Sequence, residues 1–247
     1  MEIALPNISL IGILPELILA LFACLFFVAE PFVPFEKKEW MGYLSIGALC
    51  LSVISIFPLW GKNISSFNGM IALDSYALFF KGIFLVISTL VILISFKYIK
   101  IEEINLGEYY GLILFATVGM MFMSSATDLL TFYLSLELMS FSFYVLITFM
   151  KKDSKSREAG IKYFLTGAFT SGIILYGITF LYGLTGATDL TSIAAYLTEH
   201  DIGSSPMLIM ALIFLIAGFG FKIAVVDRKS TRLNSSHSAK SRMPSSA

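Results

Sequence analysis

The residue with the clearest chemical potential is Glu137, a carboxylate in the middle of the otherwise apolar stretch 128–150. A stretch of this length spans a bilayer as a helix, since roughly 20 residues at about 1.5 Å each cross the hydrocarbon core. A charge at the centre of such a helix costs about 2.5 to 3.5 kcal/mol on insertion scales. It therefore requires a buried partner, a water-filled cavity or a neutralising proton. The pattern predicts that Glu137 handles protons, and the alternative is a structural polar contact between packed helices.

Two lysines, Lys162 and Lys222, lie where a purely structural helix would avoid a charge. Lys162 is expected about 9 Å along a helix that starts near Ser156, and its alternative role is to extend its ammonium to the membrane interface. Lys222 follows Gly218 and Gly220, and two glycines beside a lysine fit a helix that opens or is approached closely by another backbone. The alternative for Lys222 is an anchor at the end of its helix.

A buried glutamate and lysine can exchange protons because their protonation states are coupled. Burial favours the neutral form of each group, whereas proximity favours both charged forms. Moving one partner away therefore makes either group take up or release a proton, provided that water reaches the site alternately from each side. Hydroxyl groups in the same helices are candidates to order this water, although most are more simply interhelical hydrogen-bonders. They are Tyr133, Ser135, Ser140, Ser142, Tyr163, Thr166 and Thr170.

The other polar and reactive residues carry weaker signals. Glu16 and Lys81 lie in predicted membrane spans and are interpreted mainly as structural, with Glu16 facing the outer interface and Lys81 extending outward. Cys24 and Cys50 lie in apolar segments without metal-ligand spacing, and His200 has no companion at such spacing. The sequence contains no phosphate loop, dinucleotide fingerprint, nucleophile elbow or metal cluster. It therefore predicts no redox or hydrolytic active site, cofactor or metal in this chain.

The composition predicts a polytopic membrane protein that is all-helical. Mean hydropathy is +0.84, 57% of residues are hydrophobic and 14% are charged. The formal charge of zero gives no indication of nucleic-acid binding. A short surface helix is predicted over residues 189–201, and the first apolar run is expected to be retained as a span. Apolar runs predict seven spans, at about residues 9–29, 40–60, 75–97, 109–126, 129–149, 160–184 and 207–226.

The distribution of basic residues predicts the orientation of these spans. Loops after the odd-numbered spans, or positions beside them, hold Lys37, Lys38, Lys97, Lys100, Lys151, Lys152, Lys155 and Arg157. The opposite loops contain Lys62 and no other lysine or arginine. Because cytoplasmic loops are enriched in basic residues, the N-terminus is predicted to lie outside and the basic loops in the cytoplasm.

Five segments of the chain resemble subunit N of NADH-quinone oxidoreductase, an antiporter-like membrane subunit of bacterial complex I. They are residues 73–81, 108–130, 134–140, 162–172 and 218–226. The resemblance implies an N-terminal three-helix group over residues 1–107 and an incomplete first antiporter-like repeat of four helices over residues 108–226. Subunits of Mrp-type cation/proton antiporters and membrane-bound hydrogenases share the broader pattern, so they are the nearest alternatives. A third alternative is a structural bundle that does not transport.

The resemblance also implies a function and a set of site residues. It implies a proton-translocating subunit in a bacterial inner membrane, coupled to NADH:quinone electron transfer in partner subunits of the membrane complex. Glu137 matches the glutamate of the fifth helix, Lys162 the lysine of the sixth and Lys222 the lysine of a broken seventh helix. Flavin, iron-sulfur clusters and quinone are expected in or between the partner subunits, not in this chain.

The C-terminal residues depart from the family pattern. Family members have about twice this number of helices, in two inverted repeats, whereas residues 227–247 are Ser-rich, basic and without apolar periodicity. We expect this segment to be disordered and interpret it as a non-native end, with a native cytoplasmic tail as the alternative. Since the second repeat and its lysines are missing, the chain is expected to be inactive alone.

Overall fold

The computed structural model describes residues 9–33, 39–101, 107–150, 153–200 and 205–223, and the predicted tail 227–247 lies outside this range. The described residues form a bundle of α-helices with one small hairpin. The helices are α1 (Leu14–Ala29), α2 (Glu39–Ile56), α3 (Ser75–Ile101), α4 (Glu108–Ser125), α5 (Leu129–Ile147), α6 (Ser154–Thr185), α7 (Leu190–Glu199) and α8 (Pro206–Lys222). The strands are β1 (Ile64–Ser66) and β2 (Ile71–Leu73).

The structure confirms a membrane helix bundle, and the count of seven spans is approximate. Among the described residues, five helical segments are long and apolar enough to span a membrane. They are Leu10–Phe32, Trp40–Leu59, Ser75–Ile99, Leu129–Ile147 and Ser154–Thr185. The other two predicted spans correspond to α4, which has 18 residues, and α8, which has 17.

The predicted surface helix is also present, as α7. Asp189 caps its start by accepting a hydrogen bond from the backbone N–H of Ser192 at 2.8 Å. Hydrogen bonding from Ser192 and then from Thr191 holds the pKa of Asp189 below its usual range. A deprotonated Asp189 at neutral pH therefore stabilises the first turn of α7.

The antiparallel hairpin between α2 and α3 is missing from the all-helical prediction. Its turn contains Phe67, Asn68 and Gly69, all with positive φ (54°, 54° and 88°). Asn-Gly is a common pair in tight hairpin turns because both residues tolerate this backbone conformation. Ile71 and Leu73 on β2 are buried against the bundle, so the hairpin covers one end of it.

Backbone hydrogen bonds join three connections at that same end of the bundle. Thr127, between α4 and α5, donates from its N–H to the carbonyl of Met70 in the hairpin at 3.1 Å. Leu190 donates to the carbonyl of Thr127 at 3.1 Å, and Leu129 donates to that of Thr188 at 2.9 Å. The α2–α3, α4–α5 and α6–α7 connections therefore meet on one side, as expected for spans that alternate in direction.

The helices pack in two groups that share the α4–α5 hairpin. The larger apolar core is formed by α1, α2, α3 and α4, with Leu19, Leu49, Leu85 and Leu114 among its fully buried residues. A smaller core joins α5, α6 and α8 around Leu136, Ile174 and Ile178. α4 and α5 approach closely at Gly119, where an added Cβ would lie 2.8 Å from the carbonyl oxygen of Ser135. This second group positions the candidate site.

Candidate functional site

Glu137 on α5 and Lys222 on α8 form an ion pair across the smaller helix group. The Nζ of Lys222 lies 3.2 Å from Oε1 of Glu137. Their side chains are 12% exposed for Lys222 and 14% for Glu137, so the pair is nearly but not fully buried. Two residues that the sequence singled out separately are thus brought together, although 85 positions separate them.

One face of α5 supplies further partners for the ammonium of Lys222. Ser140 and Tyr144 follow Glu137 at i+3 and i+7, a spacing that places all three side chains on one helix face. Lys222 donates to Oγ of Ser140 at 2.9 Å and lies 3.4 Å from the hydroxyl of Tyr144. The Ser140 hydroxyl donates its own hydrogen to the carbonyl of Leu136 at 2.8 Å, so its lone pairs face the ammonium.

The carboxylate of Glu137 has a second partner on α6. The hydroxyl of Ser171 lies 2.6 Å from Oε1 of Glu137 and 3.0 Å from the carbonyl of Gly167. The single hydroxyl hydrogen is shared between these two acceptors. Three helices, α5, α6 and α8, therefore converge on one carboxylate oxygen.

Small residues allow α6 and α8 to pack closely enough to place Lys222 there. An added Cβ at Gly177 on α6 would lie 2.8 Å from Cγ of Leu215 on α8. An added Cβ at Gly218 on α8 would overlap the side chain of Ile174 and lie 3.3 Å from its backbone nitrogen. Since Gly218 is one turn before Lys222, this contact sets the position of Lys222 along the α8 axis and the side of the helix that faces α6.

Tyr144 is held by an aromatic contact with α6. Its hydroxyl occupies the space above Gly167 that a Cβ would fill. The rings of Tyr163 and Phe164 lie edge-on to the Tyr144 ring, with centroids 5.0 and 5.7 Å away. The phenol is therefore positioned by packing on both sides, and the ammonium of Lys222 lies 5.9 Å from its ring centroid.

Lys162 lies apart from this pair. Its side chain is 72% exposed and forms an ion pair with Glu158, one turn earlier on α6, at 2.5 Å. Lys162 and Ser171 are nine positions apart, which is about 13.5 Å along the helix and half a turn around it. Of the three predicted site residues, the structure thus joins Glu137 and Lys222 and leaves Lys162 on another face of α6.

Among the hydroxyl residues predicted to order water, Ser140 contacts the pair directly. Tyr163 contributes indirectly, through its ring contact with Tyr144. Four others donate to carbonyls of the preceding turn of their own helix, which is the common local alternative for serine and threonine. They are Ser135, Ser142, Thr166 and Thr170.

Two residues of the site were missing from the sequence-based prediction. Tyr144 lies one heptad after Glu137, and this spacing alone was a signal that both share a face. Ser171 follows Gly167 at i+4, a small-residue spacing that indicates only close helix packing, whereas in the structure Ser171 also binds the carboxylate. Its interhelical partner could be found only from the packing of α6 against α5.

The expected placement of Glu16 and Lys81 at membrane interfaces was wrong. Neither side chain reaches an interface; both are 0% exposed and their charged atoms lie 2.5 Å apart. The reason is that α1 and α3 pack together with α4 in the larger core, which leaves the two residues facing each other inside it.

The geometry at Glu137 suits proton transfer. A carboxylate and an ammonium at 3.2 Å, with three hydroxyls in contact, can pass a proton between oxygen and nitrogen or to adjacent water. Both side chains keep a small exposed fraction. Among the described residues, no cluster of histidine, cysteine or acidic residues could hold a metal ion.

Comparison with known proteins identifies relatives over nearly the whole chain. Residues 126–227 match the family described as NADH:quinone oxidoreductase/Mrp antiporter, TM. NADH-quinone oxidoreductase subunit N of Trichlorobacter lovleyi is 44% identical over 218 residues, covering 88% of this chain and 45% of that protein. Subunit N 1 of Koribacter versatilis is 40% identical over 225 residues, covering 86% and 44%. The chain thus spans less than half the length of these relatives.

Solved structures of two respiratory complexes contain the same helix arrangement. A chain of respiratory complex I from Thermus thermophilus superposes with a TM-score of 0.65 and 27% identity, covering 84% of this chain and 43% of that one. A chain of an archaeal membrane-bound sulfane sulfur reductase superposes with a TM-score of 0.69 at 23% identity, covering 86% and 44%. The second likeness concerns the fold alone.

Proposed function

We propose that the chain is part of a subunit N in the NADH:quinone oxidoreductase/Mrp antiporter family, and that this multi-pass membrane subunit translocates protons through Glu137 and Lys222. The observation that carries this proposal is the ion pair at 3.2 Å between α5 and α8, with the hydroxyls of Ser140, Tyr144 and Ser171 around it. An intramembrane ionisable pair of this kind is expensive to maintain and is typical of proton relays.

The transfer step moves one proton between the two groups. A proton passes from Nζ of Lys222 to Oε1 of Glu137, which leaves a neutral amine and a neutral carboxylic acid. Glu137 then gives the proton to water on one side, and the amine takes a proton from water on the other side. The cycle ends with the original ion pair and one proton moved. The Ser171 hydroxyl donates a hydrogen bond to the carboxylate at the start and end of this cycle.

Lys162 enters this proposal as a separate relay. Its ion pair with Glu158 is exposed and forms without any contact with Glu137. A proton reaching Lys162 therefore has to travel about 13.5 Å along α6 to Ser171. Ordered water, rather than direct contact, would bridge that distance.

The whole protein is proposed to work in a bacterial plasma membrane with its N-terminus outside. Electron transfer from NADH to quinone, with its flavin and iron-sulfur clusters, would take place in partner subunits of the membrane arm. The names of the curated relatives support these partners, and the basic residues between odd- and even-numbered spans support the orientation.

The same relatives weigh against the two alternatives. Membership in a cation/proton antiporter complex is compatible with the family description. However, the similar proteins named above are subunits of NADH-quinone oxidoreductase along 86–88% of this chain. A purely structural bundle would gain little from Glu137 and Lys222, because an apolar pair of similar volume is often at least as stabilising.

The proposal is tested by proton pumping in an assembled complex. The part of Trichlorobacter lovleyi subunit N that aligns with this chain is replaced by this sequence, and NADH-driven acidification is measured in membrane vesicles. Glu137→Gln keeps the shape but removes the exchangeable charge, so pumping per NADH is expected to fall at least about tenfold.

Glu199→Gln on the exposed end of α7 is the matched control and should pump normally. Assembly of both variants is checked by the amount of subunit in the purified complex. An assembled Glu137→Gln complex that pumps at the parental rate would refute the role assigned to Glu137.

A further inference from the structure

Glu16 on α1 and Lys81 on α3 form a second buried ion pair, separate from Glu137 and Lys222. It lies in the interior of the α1–α4 group, where both side chains have no exposed area and the charged atoms are 2.5 Å apart. Neither residue belongs to the helices that surround Lys222.

Stability alone does not account for this pair. Taking each ion out of water costs several kcal/mol, and attraction offsets this only when further hydrogen bonds satisfy both groups. Within the part of the chain that the structure describes, no other residue forms a hydrogen bond with either carboxylate oxygen of Glu16 or with the ammonium of Lys81. The hydroxyl of Ser52 reaches α1 beside Glu16, yet it donates to the backbone carbonyl of Pro15 at 3.1 Å. The pair is thus under-satisfied.

Polar side chains continue from Lys81 along the buried stripe of α3. In this stripe, aliphatic and polar residues alternate. The aliphatic residues are Leu78, Leu85, Ile92 and Ile99, and the polar residues are Lys81, Ser88 and Ser95. Ser88 lies 2.6 Å from the hydroxyl of Thr117 on α4, and Ser95 lies 2.8 Å from that of Tyr109. Each step of seven residues is about 10.5 Å. The interior therefore holds polar groups at three depths, with the ion pair at one end.

Few other charges surround the pair. Described side chains of α2 between residues 40 and 56 carry none, and the other described charged side chains on or beside α1, α3 and α4 lie near or beyond the helix ends. They are Glu30, Asp74, Lys97 and Glu108. Adding or removing one proton at the pair would therefore change its net charge by one unit in a low-dielectric interior, where that charge acts strongly on its surroundings.

We propose that Glu16 and Lys81 form a proton-binding site of their own. The carboxylate of Glu16 accepts a proton from a hydronium ion, so that an O–H bond forms and water is released, while Lys81 keeps its ammonium. Release reverses this step. The free hydrogen-bonding capacity of both groups accommodates the water that brings the proton, and the hydroxyls of Ser88 and Ser95 line its approach along α3.

Infrared spectroscopy of the purified 247-residue chain in lipid nanodiscs tests this site. The carbonyl stretch of protonated carboxylic acids is recorded as the buffer is taken from alkaline to acidic. Among the bands of buried carboxylic acids that appear on acidification, we expect one to be lost in Glu16→Gln. Glu30→Gln is the matched control, because Glu30 is also a buried glutamate, directly after the end of α1, but accepts a hydrogen bond from the N–H of Gly107 at 2.7 Å. It should keep the band.

Lys81→Met provides a second measurement if Glu16→Gln does not fold. Removing the ammonium leaves the carboxylate without its counter-ion, so the acid band should already be present in alkaline buffer. A folded Glu16→Gln protein with the parental spectrum, or a Lys81→Met protein with the parental titration, would overturn the proposal. Because these spectra do not depend on pumping, the result is independent of the role proposed for Glu137, which Glu137→Gln spectra report separately.

Discussion

Glu137 is tolerated inside the bundle because its charge is balanced and hydrogen-bonded locally. Lys222 supplies the opposite charge, and Ser171 donates a hydrogen bond to the same carboxylate oxygen. The ammonium is in turn shared with Ser140 and Tyr144. Removing one of these residues leaves the others buried without a hydrogen-bond or charge partner. Each residue therefore contributes more to stability than an exposed polar residue would.

Ser171→Ala tests how much the hydroxyl contributes. It removes a hydrogen bond to a charged acceptor, so the free energy of unfolding in detergent micelles should fall by about 0.5 to 2 kcal/mol. Ser142→Ala is the matched control, since that buried serine donates only to Leu138 of its own helix. Equal losses in the two variants would contradict a specific contribution of Ser171.

The sequence identified the charged members of the site one by one but not their arrangement. Glu137 and Lys222 stand out because a charge in an apolar helix is costly wherever it lies. Ser171 and Tyr144 carry no such signal, because serine and tyrosine are common in membrane helices. Their roles depend on how α6 packs against α5. The positions of Glu16 and Lys81 were misjudged for the same reason, since nothing in the sequence shows that these two charged residues face each other.

At the scale of the helices, close packing of α6 and α8 determines where Lys222 lies. Gly177 and Gly218 remove the side chains that would keep the two backbones apart. Small residues serve this purpose in membranes because association there depends on packing and not on the exclusion of water. The position of the site is therefore a property of the α6–α8 interface as well as of its charged residues.

Gly218→Ala tests this dependence. The new methyl group would overlap Ile174, so the helices must separate and stability should fall by about 1 to 3 kcal/mol. In the pumping complex the same change should reduce proton transfer, because Lys222 moves with α8. Gly172→Ala is the control: nothing lies within 4 Å of its added Cβ, and it should be neutral or stabilising by about 0.5 kcal/mol. Similar effects of both changes would argue against the interface.

Helices were more predictable than the connection between α2 and α3. Long apolar runs specify α1, α3 and α5 because a membrane requires every backbone group to be paired within the segment. The β1–β2 hairpin is too short for a periodic pattern, and its Asn68-Gly69 turn was its only signal. The hairpin is also held by Thr127, which comes from a distant part of the chain and donates a hydrogen bond to the carbonyl of Met70.

At the scale of the whole molecule, the hydrogen-bonded end of the bundle defines one side of the membrane. The hairpin, the α4–α5 turn and the α6–α7 connection lie there together. Buried Asp128 reinforces this end by capping α5 through Leu130 and binding the hydroxyl of Thr188 at 2.5 Å. The basic segments of the sequence fall in the connections of the opposite end, which predicts that the hydrogen-bonded end faces outward.

Reporter insertion tests this orientation. An enzyme that is active only outside the cytoplasm is inserted after Gly69, after Asp189 or after Met150. We expect activity at the first two positions and none at the third, since they lie at opposite ends of the helices. Activity only after Met150 would reverse the orientation, and unequal results at Gly69 and Asp189 would contradict their shared end.

The most direct test of the Glu137–Lys222 pair is a double-mutant cycle measured by proton pumping per NADH. Glu137→Gln, Lys222→Met and the double variant are compared in the assembled complex that carries this sequence. If both residues act in one transfer step, each single change removes that step, and the double variant should pump no worse than the poorer single variant. Losses that multiply in the double variant would show that the two residues act independently, which contradicts the proposed step.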